Sequence, residues 1–285
     1  MASVTPIVAY RHGSVPDKAL FPPETVFSDD EGKGKKYALQ KAVAEARTER
    51  VWLLDDDVLN ANSKWATIRN TDLSADLTIL PLKMSEGSGR LIERLQQTEY
   101  VAIQALTLLA AERGKAVMCS GANLIVRRER WLESFQDLHT DLPSGDDMFL
   151  LESFKRRGLL IDVLALPVDI APQPTLRSLL RQRMRWAGKA PRYRDDDTRR
   201  CGMAVVLINV LSVVCPPLWI LKLSAEISLL RYACKKYPML LVSGKMNYME
   251  TILLSIIYPW YMLICLAGGV LNTAGDNKKQ SHSFL

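Results

Sequence analysis

Short apolar runs alternate with longer segments of helical spacing over the first two thirds of the chain. Apolar runs of strand length lie at residues 6–10, 51–54, 77–80, 116–119 and 160–166. Helical spacing extends over residues 35–47, 90–113, 146–157 and 176–190. Strands that alternate with helices predict an α/β domain with a mostly parallel sheet. In such a sheet, ligands bind outside the carboxyl ends of the strands.

The pattern changes near residue 200. Residues 203–221 and 251–275 contain no charged side chain, and each stretch approaches the length that crosses a bilayer. Residues 218–234 are also apolar but contain three charged side chains, which fits either an interfacial helix or a return through the bilayer. We therefore expect an α/β domain over residues 1–200, a membrane region with two or three spans over residues 201–275, and a polar tail over residues 276–285.

The positive charge of the chain is concentrated beside the first uncharged stretch. The formal net charge is +6, and nine basic residues lie between Arg177 and Arg200. Lysine and arginine concentrate on the cytoplasmic side of membrane segments. The run borders apolar segments rather than alternating with aromatic residues, so nucleic acid is the weaker explanation. We expect an integral protein of the cell or inner membrane, with its α/β domain in the cytoplasm.

Three consecutive aspartates follow the apolar run 51–54. Asp55 and Asp57 are two residues apart, so a turn after the strand lets both carboxylates bind one divalent cation. Mg²⁺ and Mn²⁺ prefer such oxygen ligands and commonly complete their shells with phosphate and water. The alternative is a helix cap or a solvated turn, since aspartate favours both.

A second acidic pair, Asp146 and Asp147, precedes an apolar helical segment. A carboxylate at a helix start that faces the edge of the sheet can act as a general base. Aspartates in the first turn also compensate the helix dipole, which is the alternative explanation.

The basic segment also contains Gln182, Arg185 and Trp186 within about one helical turn. An amide, a forked cation and a flat ring suit a diphosphate and a sugar, whereas a lipid surface needs only charge. Two weaker signals precede it. A glycine–lysine segment ends at the helix that begins with Lys35, and small residues around Gly121 and Asn123 allow close approach to the backbone. A flexible turn explains the first signal better, and a tight structural turn explains the second equally well.

In this order, the motifs resemble those of a family-2 glycosyltransferase of the membrane-bound, polysaccharide-synthase-like kind. The resemblance covers roughly residues 30–190. It implies a GT-A nucleotide-sugar domain on the cytoplasmic side, followed by transmembrane helices, and an inverting, metal-dependent transfer. It also implies Mg²⁺ or Mn²⁺ as cofactor, a UDP-linked donor, a glycan or lipid-linked acceptor, and contact with membrane lipids.

The resemblance further implies a role for each motif residue. Asp55 and Asp57 correspond to the DxD pair, which holds the nucleotide diphosphate through the metal. Asp147 corresponds to the base that deprotonates the acceptor hydroxyl, and Asp146 replaces the more usual glutamate beside it. The remaining positions are implied to contact nucleotide, sugar or acceptor: Lys35, Gly121, Asn123, Gln182, Arg185 and Trp186.

The sequence departs from this family at its beginning. Only about fifty residues precede Asp55, whereas one βαβ unit takes roughly 30 or more. We expect the first strand and helix of the family to be missing. Two other functions therefore remain open: a truncated, non-catalytic membrane protein with a binding role, and a metal-dependent phosphotransferase, which would leave Gln182, Arg185 and Trp186 unexplained.

Overall fold

The chain folds into an α/β domain followed by three long helices. The computed structural model describes residues 4–282 apart from residues 143, 243 and 245, with residues 272–282 as helical backbone alone. The strands are β1 (Val4–Tyr10), β2 (Val26–Asp29), β3 (Arg50–Asp55), β4 (Leu77–Ile79), β5 (Leu82–Met84), β6 (Asn123–Arg127), β7 (Ile161–Val163) and β8 (Val168–Ile170). The helices are α1 (Lys35–Glu45), α2 (Trp65–Asn70), α3 (Leu91–Ala111), α4 (Arg128–Ser134), α5 (Asp146–Arg156), α6 (Leu176–Ala187), α7 (Asp196–Val214), α8 (Pro216–Lys236) and α9 (Tyr248–His282).

The central sheet has the strand order β2-β1-β3-β6-β4-β7. β6 runs antiparallel to both of its neighbours, whereas the other adjacent strands pair in parallel. β5 and β8 form a separate parallel pair. The expected α/β fold with a mostly parallel sheet is therefore confirmed. The register pairs Tyr10 with Asp29 and Ala9 with Asp55, so the carboxyl ends of β1, β2 and β3 meet at one edge.

Both faces of the sheet are buried. Along β3, Leu53 faces a cluster that includes residues of α1 and α5, whereas Trp52 and Leu54 face a cluster that includes Tyr100 of α3. Strands covered on both faces read as continuous apolar runs, and this is why the run 51–54 was visible in the sequence. The two buried layers fix β3 rigidly, so the acid at its end has a defined position.

Asn123, which the sequence placed beside the sugar or acceptor, lies in the interior of the domain. Its side chain is fully buried at the start of β6. Its Oδ1 accepts a hydrogen bond of 2.9 Å from the indole of Trp52. Its Nδ2 donates to the carbonyl oxygens of Pro81, at 2.8 Å, and of Leu166, at 3.2 Å. Because the amide is occupied on both sides, we assign Asn123 to the fold and not to substrate contact.

Two predicted elements differ from the observed ones. Residues 116–119 form no strand; the strand at this point is β6, which begins at Asn123 and pairs with both β3 and β4. The uncharged stretch 203–221 is not one helix, because α7 ends at Val214 and α8 begins at Pro216. Pro216 lacks a backbone N–H and favours the first position of a new helix, so it separates the two.

The three C-terminal helices pack against one another, and α9 also packs against α3 and α6. Within the described residues, one helical segment, Tyr248–Leu271, is long and apolar enough to cross a membrane. The expected polar tail falls on residues whose side chains lie outside the described part, although the helical backbone continues to His282. Large apolar side chains of α7, α8 and α9 are exposed, among them Met203, Leu207, Leu211, Val214, Ile220, Leu221, Trp260 and Ile264.

The position of Asn123 predicts a stability defect without a binding defect. Asn123→Ala leaves the indole N–H of Trp52 and two carbonyl oxygens without their partner, so the free energy of unfolding should fall by about 3 kcal/mol. Denaturant unfolding measures this change, and the exposed Asn62 gives the matched control Asn62→Ala. An Asn123→Ala protein of unchanged stability but weaker donor binding would contradict the assignment.

Candidate active site

The candidate site lies at the carboxyl edge of the central sheet. β3 delivers Asp55 to this edge, α1 begins there with Lys35, and α5 begins there with Asp146 and Asp147. The turn that precedes β6 brings Gly121 against these side chains. Four of the predicted motifs, separated by more than a hundred residues in the sequence, therefore meet in one place.

The ammonium group of Lys35 lies between two carboxylates. It donates a short hydrogen bond to Oδ1 of Asp55 and lies 3.5 Å from Oδ2 of Asp146. Burial alone would lower the pKa of Lys35, but the charges of Asp146 and Asp55 outweigh burial and raise it. A protonated lysine thus holds the acid of β3 and the acid of α5 together.

Gly121 leaves the space that this charge cluster needs. A Cβ atom at this position would lie 3.2 Å from both Nζ of Lys35 and Oδ2 of Asp146. The backbone N–H of Gly121 also donates to Oδ2 of Asp147, at 3.3 Å. Gly121 therefore adjoins Lys35, Asp146 and Asp147 through its backbone, and its predicted contact with sugar or acceptor stays a prediction.

The two neighbouring acids of α5 differ in their affinity for protons. Burial and the charge of Asp146 raise the pKa of Asp147. Burial opposes ionisation of Asp146 as well, but Lys35 outweighs it and lowers the pKa of Asp146. Neither acid occupies the N-cap of the helix, which is Gly145. A pair of acids with opposite shifts is typical of a site where one carboxylate stays charged and the other accepts a proton.

Asp57 lies in the turn after β3, with an exposed side chain close to the rest of the acidic cluster. The protein around it and the charges of Asp55 and Asp56 raise its pKa to about 6. No group of three acidic, histidine or cysteine side chains within the described residues is arranged to hold a metal alone. Mg²⁺ is commonly bound by one or two carboxylates together with substrate phosphates. Asp55 and Asp57 fit such a shared site, provided that the substrate supplies the other oxygens.

The three residues of the basic motif lie on α6. Arg185 and Trp186 are exposed and Gln182 is half-buried, so all three remain accessible to a ligand. Just beyond α6, the side chain of Lys189 packs so closely on Gly145 that a Cβ there would lie 3.0 Å from it. The end of α6 therefore adjoins the start of α5.

Lys189 was missed in the sequence, where it was counted only as part of a basic run. Burial lowers its pKa, whereas the charges of Asp147 and Asp146 act in the opposite direction. It therefore adds a second lysine beside the acidic pair. No local pattern in the sequence distinguished it, because its position depends on the packing of the segment after α6 against Gly145 at the start of α5.

Acids on the neighbouring strands extend the site. Asp29 ends β2 at the same edge as Asp55 and bonds Nδ1 of His12 at 3.0 Å. Asp30 accepts a hydrogen bond from the backbone N–H of His12 at 2.9 Å. These side chains had no assigned role in the sequence, because their position depends on the pairing of β1 with β2.

A mostly parallel sheet binds its ligands outside the carboxyl ends of its strands, and here that edge carries lysines and carboxylates that can bind an anionic ligand and a cation. The chain belongs to the glycosyltransferase-like family 2, whose family model matches residues 20–189. It is thus a glycosyltransferase that depends on a nucleotide sugar, as the resemblance of its motifs implied.

Solved structures share this fold at low sequence identity. The mannosyltransferase PcManGT from Pyrobaculum calidifontis, in complex with GDP-Man and Mn²⁺, has a TM-score of 0.51 at 15% identity, over 96% of this chain and 87% of that one. Glucosyl-3-phosphoglycerate synthase from Mycobacterium tuberculosis, with Mn²⁺ and UDP-glucose, has a TM-score of 0.34 at 16% identity, over 62% and 74% of the two chains. Mannosyl-3-phosphoglycerate synthase from Rubrobacter xylanophilus has a TM-score of 0.34 at 13% identity, over 63% and 70%. The first of these establishes the GT-A-like fold. A search of curated protein sequences found no match.

The raised pKa of Asp57, about 6, predicts a pH dependence of cation binding. The carboxyl is mostly protonated below that pH, so the Mn²⁺ affinity in the presence of a UDP-sugar should fall about tenfold between about pH 7 and about pH 5. Asp57→Ala should remove the cation-dependent donor binding, whereas Asp56→Ala should retain most of it. Titration calorimetry measures both. Unchanged, metal-dependent affinity in Asp57→Ala would show that Asp57 is not a ligand.

Proposed function

We propose that this glycosyltransferase is membrane-associated and inverting, and that it moves a sugar from a UDP-linked donor to a hydroxyl of a glycan or lipid-linked acceptor. The observation that carries the proposal is the convergence of Asp55, Lys35, Asp146 and Asp147 at the carboxyl edge of the sheet, where Lys35 pairs with Asp55 and Asp146 and the N–H of Gly121 donates to Asp147. Asp147 forms no ion pair with Lys35 in this cluster, which suits a carboxylate that accepts the proton of a substrate hydroxyl.

The donor end of the proposed site is formed by Asp55, Asp57 and Lys35. A divalent cation held by the two aspartates would neutralise the negative charge that develops on the leaving diphosphate. The complex of PcManGT with Mn²⁺ supports Mn²⁺ as one such cation, with Mg²⁺ as the other candidate. Lys35 supplies positive charge at the same edge, where its ammonium already balances Asp55.

The acceptor end is formed by Asp147 and α6. Asp147 takes the proton of the acceptor hydroxyl as the oxygen attacks the anomeric carbon and the bond to the diphosphate breaks. Attack from the face opposite the leaving group inverts the anomeric carbon, so an α-linked donor gives a β-linkage. Arg185 and Trp186, both exposed, would bind diphosphate and sugar ring and hold the two reactants in line.

The apolar surface of the C-terminal helices supports the membrane part of the proposal. Isolated exposed apolar residues are ordinary, but a shared surface formed by three helices marks an interaction site. The basic residues Arg177, Arg181 and Arg185 lie on α6 beside this region, and cytoplasmic headgroups attract such charge. We therefore propose attachment to the cytoplasmic side of the cell or inner membrane.

Asp147→Asn tests the catalytic assignment. The substitution keeps the size of the side chain but removes its ability to accept a proton, so transfer should fall by roughly a hundred- to ten-thousand-fold. Donor binding should change little, because Lys35, Asp55 and Asp57 remain. Radiolabelled sugar transfer into membranes, with UDP binding on the same preparation, separates the two effects. Asp141→Asn, an exposed acid of the preceding loop, is the control.

The outcomes of that experiment separate the competing functions. Retained transfer in Asp147→Asn would remove the base assignment. A wild-type chain that neither transfers sugar nor binds UDP would favour a non-catalytic membrane protein. A wild-type chain that moves phosphate from the nucleotide to an acceptor would favour a phosphotransferase.

Membrane attachment is tested by replacing the apolar surface. The intact chain should stay in the membrane fraction during a carbonate wash. The triple variant Ile256→Gln, Trp260→Gln and Ile264→Gln should be released far more readily, because each change adds a polar group to the exposed face of α9, the described helix that is long and apolar enough to cross a membrane. Three exposed apolar residues of the α/β domain provide the matched control, Val15→Gln, Leu91→Gln and Leu160→Gln. Complete extraction of the intact chain by carbonate would argue against integral insertion.

A further inference from the structure

One arginine inside the motif of α6 faces away from the ligand side. Arg183 is buried, with 7% of its side chain exposed, and its Nη2 lies 2.8 Å from Oε2 of Glu99 on α3, which is equally buried. Its Nε donates a hydrogen bond of 3.1 Å to the hydroxyl of Tyr261 on α9. A single guanidinium group therefore joins α6 to a helix of the α/β domain and to the apolar C-terminal helix.

The same guanidinium group contacts two motif side chains. It lies 4.3 Å from the centre of the Trp186 ring, in a cation–π contact. Its Nη1 lies 3.5 Å from Oε1 of Gln182. Arginine suits this position because its planar guanidinium group can stack on an aromatic ring while its N–H groups donate hydrogen bonds to other partners. Lysine has no such planar group.

Two glycines of α9 bring it into backbone contact with the end of α6. A Cβ at Gly269 would lie 2.7 Å from the amide nitrogen of Gly188 and 2.8 Å from the carbonyl oxygen of Met184. A Cβ at Gly268 would lie 2.6 Å from the sulfur of Met184. The backbones cannot shift as easily as a flexible side chain, so Gly269 in particular has no space for a larger residue.

The orientation of α6 thus depends on α3 and α9. Of the twelve residues of α6, only Leu179 and Arg183 are buried. The segment that leads into the helix is held by α3, since the side chain of Gln96 bonds both the N–H and the carbonyl oxygen of Gln173, at 2.9 and 3.0 Å. Its far end is held by Gly269 of α9.

We propose that Glu99, Arg183 and Tyr261 are positioning residues for the transfer reaction, and that α9 is thereby a structural part of the active site as well as an apolar anchor. Arg183 fixes the side chains of Gln182 and Trp186, and the end of α6 leads directly to Lys189 beside Asp147. The inference rests on the proposed function, because it assigns Gln182 and Trp186 to the acceptor side of that reaction.

The paired variant Glu99→Gln with Arg183→Met tests this role in the full-length chain. Removing both charges together avoids leaving one buried charge without a partner, so the thermal midpoint should stay close to that of the wild type. Transfer at saturating donor should fall tenfold or more, while the donor KM and UDP binding change less than twofold. The single variant Arg183→Lys should also transfer poorly, because lysine keeps the positive charge but lacks the flat guanidinium group that stacks on the Trp186 ring.

A matched pair elsewhere controls for general docking of the helices. Lys236 of α8 bonds Glu112 at the end of α3 without contacting α6, so Glu112→Gln with Lys236→Met should transfer normally. A second, independent comparison uses glycines. Gly269→Ala should reduce transfer, whereas Gly202→Ala on α7, where a Cβ meets nothing within 4 Å, should not.

Three results would overturn the inference while the wild-type chain remains active. The first is normal transfer by both the Glu99→Gln, Arg183→Met variant and Gly269→Ala. The second is normal transfer by Arg183→Lys. The third is an equal loss of transfer in the Glu112→Gln, Lys236→Met variant. An inactive wild-type chain that binds no UDP would instead overturn the proposed function itself.

Discussion

The site depends on one cation of the protein itself, the ammonium group of Lys35. Carboxylates from β3 and α5 converge at one edge of the sheet, and like charges at such separations repel strongly in a partly dry environment. Lys35 reduces this repulsion by lying between Asp55 and Asp146. Against the effect of burial, its charge lowers the pKa of Asp146, and burial and the charge of Asp146 in turn raise the pKa of the neighbouring Asp147. The same arrangement favours glycine at position 121, because a Cβ atom there would lie 3.2 Å from Nζ of Lys35 and from Oδ2 of Asp146.

Features that depend on local pattern were predictable from the sequence. The fold class, the position of Asp55 at a strand end and the position of Asp147 at a helix start were predicted correctly, because apolar periodicity determines each of them. The run 116–119 was assigned to a strand wrongly, since a short apolar run does not reveal which residues pair in the sheet. Asn123 could not be placed either, because its three partners come from distant segments.

The basic motif shows a different limit of sequence patterns. The amide of Gln182, the guanidinium group of Arg185 and the indole ring of Trp186 suggested a binding surface. These three side chains are accessible on α6. The residue between them, Arg183, looked like one more positive charge, yet it is buried and paired. Charge alone predicts solvent exposure for arginine, and only a partner such as Glu99 reverses that expectation. The role of a charged residue in such a run therefore depends on contacts that lie outside the run.

The arrangement of α6 links two properties that the sequence presented separately. The apolar C-terminal segments looked like an attachment added to a complete domain. In the structure, α9 contributes the hydroxyl of Tyr261 and the close contact at Gly269 to the helix that carries the motif. In the proposed function, the exposed apolar surface of α7, α8 and α9 lies beside the helix that carries the motif. Because α6 has few buried residues of its own, a helix that lost α9 would keep its motif residues but lose the contacts that orient them. The proposed membrane attachment and the proposed positioning of the acceptor would thus both depend on the packing of α9 against α6.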